Sequence, residues 1–148
     1  MHKVLIAFVS RTGKTDKMAN LIAEGIRMQG HEPVVKKVSE LNKAEDLEGY
    51  DGYVFGCPTY HRDITEGMKK FLFLAENLNL VGKIGGAFNA YTHSGESGEI
   101  IYDTMKYVYK MDAIDLGPLQ LKEATIETNE GAKACQDYGK AIGQQLGA

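Results

Sequence analysis

Lys3-Val4-Leu5-Ile6-Ala7-Phe8-Val9-Ser10-Arg11-Thr12-Gly13-Lys14-Thr15 is the stretch on which the fold turns. Its first seven residues make a short apolar run ending in a polar turn cluster, as a strand buried on both faces does. The period then changes. Met18, Leu21, Ile22, Gly25 and Ile26 recur at spacings of three and four, which predicts a helix that stops near Gly30.

The alternation continues along the chain. Residues 33–38 read as a second strand, and Pro33 puts it at a sheet edge. Residues 42–49 are polar and predict a short helix, and residues 52–56 a third strand. Residues 63–79 predict a long helix in which Asp63 and Glu66 resemble a capping box and Met68, Phe71, Leu72, Ala75 and Leu78 face inward. A fourth strand is expected over 83–89, then a helix over 99–110 with Ile101, Met105 and Val108 inward. Residues 113–121 contain a fifth strand, irregular around Gly117-Pro118. Ala132, Cys135, Gly139, Ile142 and Leu146 mark a last helix. Strands alternating with helices imply an α/β fold, a parallel sheet covered on both faces. Ligands of such sheets bind outside the carboxyl ends of the strands, at the topological switch point. The loops to inspect follow strands one, three and four.

Length and composition agree. A chain of 148 residues predicts a single domain spanning 1–148. The net charge is −3 and the Lys and Arg residues are scattered, so nucleic acid is not the expected partner. Two distant cysteines, Cys57 and Cys135, make neither a C-x-x-C pair nor a metal quartet and suit a reducing cytoplasm. The first apolar run is too short for a signal peptide and lacks a cleavage site. No run approaches the ~18 residues of a membrane span. No repeat, linker or low-complexity segment stands out.

The first loop, Ser10 to Thr15, packs three hydroxyls, a glycine and two cations into six residues at a helix start. That exceeds what an N-cap needs, one Ser or Thr, and suits an anion site. It is not a Walker A loop, because Phe8 stands where that motif needs its first glycine, and no G-x-G-x-x-G occurs. In the second loop, Cys57 and Arg62 are separated by four residues, whereas the low-molecular-weight phosphatase motif needs five. Response regulators need an aspartate where Cys57 stands. Cys57 reads instead as a small packed residue. Tyr60 either covers the core or stacks on a ligand ring. The third loop, 89–96, is polar and again aromatic, with Tyr91 and His93. His93 is either a solvated loop residue or a neighbour of the ligand.

Ser10, Thr12, Gly13 and Thr15 match every fixed position of Ser/Thr-x-Thr-Gly-x-Thr, and the first loop thereby resembles the phosphate loop of flavodoxins. Pro58-Thr59-Tyr60 resembles the flavodoxin loop that carries a ring-flanking aromatic. The third loop is similar to that of the flavodoxin module in flavodiiron proteins, where Tyr and Trp stand at the positions of Tyr91 and His93. The resemblance covers essentially the whole chain and is to the short-chain branch, since no insertion interrupts 113–123. It implies strand order 2-1-3-4-5, a three-layer sandwich and one noncovalent FMN. The implied contacts are Ser10, Arg11, Thr12, Gly13, Lys14 and Thr15 at the phosphate, and Pro58, Thr59, Tyr60, His61, Asn89, Ala90, Tyr91, His93 and Gly95 around the ring. It further implies a low-potential electron carrier in the cytoplasm serving redox proteins such as a ferredoxin or a flavoprotein reductase, monomeric by expectation.

Two departures from the family stand out. Typical members are strongly acidic, whereas this chain is only mildly so, with His61 and Arg62 beside the implied ring site. His61 also stands where the family often has glycine, and a side chain makes a positive-φ peptide harder to adopt. Pro58-Thr59 followed by Met68-Lys69-x-Phe71-Leu72 resembles FMN-dependent quinone reductases, the alternative function. A flavin-free module holding another phosphate ligand is the third possibility.

Overall fold

The computed structural model describes residues 1–59, 63–93 and 95–147. Among the described residues six strands form one parallel sheet: β1 (Lys3–Phe8), β2 (Glu32–Lys37), β3 (Gly52–Gly56), β4 (Ile84–Tyr91), β5 (Asp112–Ala113) and β6 (Leu119–Lys122). The helices are α1 (Lys14–Met28), α2 (Glu66–Ala75), α3 (Glu96–Asp103), α4 (Glu123–Ile126) and α5 (Asn129–Leu146).

The strand order is β2-β1-β3-β4, and the far edge of β4 is shared by β5 at its start and β6 at its end. The expected 2-1-3-4-5 order is present, with the fifth position divided in two. The division leaves the middle of β4 without a strand along its far edge. There the Ala87 N–H donates to the Tyr138 hydroxyl at 3.0 Å, and that hydroxyl donates to the Gly117 carbonyl at 2.8 Å. A side chain of α5 thus replaces the missing ladder bonds. Tyr138→Phe leaves a buried donor and the Gly117 carbonyl without partners. It is expected to destabilise the fold by about 2 kcal/mol, read from urea unfolding, without changing the slope of the transition.

Alternation along β1 builds two cores. Leu5 and Ala7 face one side with Tyr53, Phe55, Met68, Phe71 and Met105. Val4, Ile6 and Phe8 face the other with Ile22, Ile26, Val54, Phe88 and Ile142. Both faces are covered, which is why β1 reads as a continuous apolar run.

Four local expectations are corrected. Strand β4 continues past Asn89, so Ala90 and Tyr91 are strand residues too. Residues 42–49 hold a single 3₁₀ turn, Ala44–Leu47. Helix α2 begins at Glu66 behind Thr65, whose Oγ1 accepts from the Met68 N–H at 3.2 Å. Asp63 lies too far upstream to cap it. Its carboxylate accepts from the Ile64 N–H at 2.8 Å and pairs with Lys69 at 2.8 Å. Finally, α3 passes into a π-turn over Thr104–Val108. The extra residue in that turn breaks the 3.6 period. Val108 therefore points outward, 56% exposed, while Tyr109 is buried with its hydroxyl donating to the Leu72 carbonyl.

Candidate functional site

Phe8, Gly56 and Phe88 stand side by side in register, so β1, β3 and β4 deliver their following loops to one edge of the sheet. Backbone bonds carry the alignment further. The Val9 N–H donates to the Gly56 carbonyl at 3.0 Å, Cys57 N–H to Phe88 at 3.3 Å and Thr59 N–H to Ala90 at 3.3 Å.

The first loop turns on Gly13, whose φ of +85° lies in the left-handed region that a side chain strains. The Gly13 N–H donates to Ser10 Oγ at 3.2 Å, closing the turn. Helix α1 starts at the next residue with no side-chain cap. Its first-turn N–H groups, on Lys14, Thr15 and Asp16, have no carbonyl one turn back. Arg11, Thr12 and Gly13 are exposed, Ser10 and Lys14 half-buried, and Thr15 buried. Lys14 does not stand alone: its Nζ and that of Lys17 each lie 2.8 Å from a Glu127 oxygen. These two ammonium groups hold the Glu127 carboxyl down at about 2. Glu127 follows α4, 113 residues from Lys14, and no local pattern in the sequence signals it. A cleft of about 560 Å³ opens beside this loop, lined by Val9, Arg11, Ile64, Thr65 and Gly67 among others. It falls in the size range of small-molecule sites.

At the second and third loops, Pro58 and Thr59 are half-buried, Tyr91 is half-buried at the end of β4, and His93 is exposed. Gly95 is the residue before α3. Asn89 and Ala90 are enclosed, so neither side chain reaches the surface. The Asn89 amide lies beneath, its Nδ2 donating to Thr59 Oγ1 at 2.7 Å. Ser97, absent from the sequence-derived site, shares a 2.9 Å hydroxyl contact with Thr59. Tyr60 and His61, and Arg62 beside them, lie outside the described residues.

The family profile described as Flavodoxin matches residues 6–114. The chain belongs to the flavodoxin family. A flavodoxin of Aquifex aeolicus is 31% identical over 97% of this chain and 86% of its own length. One of Clostridium saccharobutylicum is 37% identical over 59% of this chain and 54% of its own, so the match spans about half of that relative. A protein named NAD(P)H dehydrogenase (quinone) from Archaeoglobus fulgidus is 29% identical over 68% of this chain and 69% of its own. Among solved structures, a flavodoxin from the domain Archaea superposes with a TM-score of 0.87 at 25% identity, covering 99% of each chain.

FMN is the cofactor of this family, and the residues fit it. The first loop offers hydroxyls and unpaired first-turn N–H groups with no carboxylate between Ser10 and Thr15, the donor set a phosphate needs. A half-buried aromatic, Tyr91, stands at the end of β4 on the same sheet edge.

Cys57 and Cys135 are free and fully enclosed. Burial pushes the first thiol up to about 11 and the second to about 12, from an ordinary value of 9.0. The native protein is expected to resist thiol-reactive disulfide reagents at pH 8 and to react twice once unfolded. In the unfolded chain both thiols lose their protons first. Their contribution to stability is therefore intact below pH 9 and falls as pH rises from 9 towards 11. Guanidinium titrations at pH 8 and pH 10 test that sign.

Proposed function

We propose that this chain binds one FMN at the edge where β1, β3 and β4 end, and works in the cytoplasm as a low-potential electron carrier between redox proteins such as a ferredoxin and a flavoprotein reductase. The observation that carries the reading is the Ser10–Thr15 turn, with its left-handed Gly13, set on the same edge as the β3 and β4 loops. Bound FMN supplies one- and two-electron chemistry. The chain's own work is to hold it. Ser10, Thr12, Gly13 and Thr15 receive the phosphate through hydroxyl and N–H groups, and the Lys14–Glu127 pair leaves that task mainly to neutral donors. Tyr60 and Tyr91 flank the ring, with exposed His93 near its edge.

Purified protein loaded with FMN and freed of excess should stay yellow and be reduced by dithionite. It should oxidise NAD(P)H slowly even with a quinone present. Rapid NAD(P)H oxidation with a quinone would replace the carrier by an oxidoreductase, the reading that the Archaeoglobus relative's name favours. A colourless protein would remove both, leaving a module for another phosphate ligand.

A further inference from the structure

Thr59, Ser97 and Asn89 form a buried polar chain whose direction can be worked out by counting protons. The Ser97 hydroxyl lies 3.3 Å from the Cys57 carbonyl, which can only accept, so Ser97 donates there. Ser97 Oγ must then accept in its 2.9 Å contact with Thr59, and the Thr59 proton is spent on it. Thr59 Oγ1 accepts from the Ser97 N–H at 3.3 Å and from Asn89 Nδ2 at 2.7 Å. The Asn89 amide orientation follows: with the Thr59 proton committed, only its NH₂ face can meet that oxygen. Ser97 and Asn89 are both fully buried, and every bond joins two different segments of the fold. Cys57 and Thr59 belong to the loop leaving β3, Asn89 to β4, and Ser97 to the first turn of α3.

We propose that Ser97 is a positioning residue of the flavin-ring site, locking the loop after β3 to the start of α3 so that the two walls of that site keep a fixed spacing. This rests on the reading that flavin binds at this edge. Ser97 touches no part of that edge's surface. It acts through Thr59 and the Cys57 carbonyl, and its loss frees one loop to drift relative to the other. The ring, not the phosphate, would sense the drift.

Fluorescence quenching gives the affinities of wild type, Ser97→Ala, Thr59→Val and Thr59→Ser for FMN and for riboflavin, which lacks the phosphate. Ser97→Ala and Thr59→Val should weaken both flavins by the same factor, roughly tenfold. Thr59→Ser, which keeps the hydroxyl, should lose less affinity for both than Thr59→Val. The visible circular dichroism of bound flavin should change in Ser97→Ala and change less in Thr59→Ser than in Thr59→Val. Unchanged riboflavin affinity in Ser97→Ala alongside a lowered melting temperature would overturn the proposal, reducing Ser97 to a structural residue. If Ser97→Ala fails to fold, the Thr59→Val and Thr59→Ser pair decides by the same criterion. Wild-type protein that binds neither flavin overturns the site reading itself, and the positioning role with it.

Discussion

Gly25→Val is expected to destabilise the protein by about 3 kcal/mol and lower its melting temperature by roughly 10 °C. Helices α1 and α5 cross with their backbones in contact. A Cβ built on Gly25 would lie 2.0 Å from the Gln136 carbonyl oxygen and 2.8 Å from the Lys140 nitrogen. A Cβ on Gly139, in the opposite helix, would lie 2.0 Å from the Ile22 carbonyl oxygen. Neither neighbour is a side chain that can rotate away. The helices must separate, opening the core that Ile22, Ile26, Ile142 and Tyr138 fill between them and the sheet. A side chain would otherwise gain helix propensity over glycine, by up to about 1 kcal/mol, so the net loss measures the clash. Gly139→Ala should behave alike. Gly82→Ala, where a Cβ meets nothing within 4 Å and only the φ of +77° is strained, should cost about 1 kcal/mol. Equal melting temperatures for Gly25→Val and Gly82→Ala would refute the packing argument.

Gly13→Val is expected to weaken FMN about tenfold or more while leaving riboflavin affinity unchanged. A Cβ at Gly13 meets open space, so the effect is conformational rather than steric against neighbours. At φ +85° a β-branched residue is strained by roughly 1–2 kcal/mol, and the loop escapes by leaving the turn that Ser10 Oγ closes. Binding the phosphate then requires that strain to be restored. Titrating both flavins separates this outcome from a change at the ring. Equal losses for the two would place Gly13 outside the phosphate site.

The phosphate loop was legible because its chemistry is local: hydroxyls, a glycine and a helix start within six residues. The strands were legible because apolar runs and turn clusters bounded them. The misplacements have physical causes. A 3.6 period puts Val108 inward, but the π-turn breaks that period and Tyr109 takes the place. Asp63 looked like a cap by spacing alone, yet Thr65 is the residue whose oxygen reaches the Met68 N–H. Ala90 and Tyr91 read as loop residues because polar Asn89 interrupts the apolar run before them, yet β4 carries both.

By itself, the sequence determined the alternating α/β pattern, the strand in which each apolar run lies and the loop that suits a phosphate, since each depends on neighbours a few residues apart. Only the tertiary structure decided that Tyr138 completes the ladder at Ala87. The same holds for the contact of Gly25 and Gly139 with backbone across two helices, for Glu127 engaging Lys14, and for Ser97 joining Thr59 and Cys57. Those contacts join residues 38 to 117 positions apart in the chain. They depend on how strands register and helices cross, which no local spacing encodes.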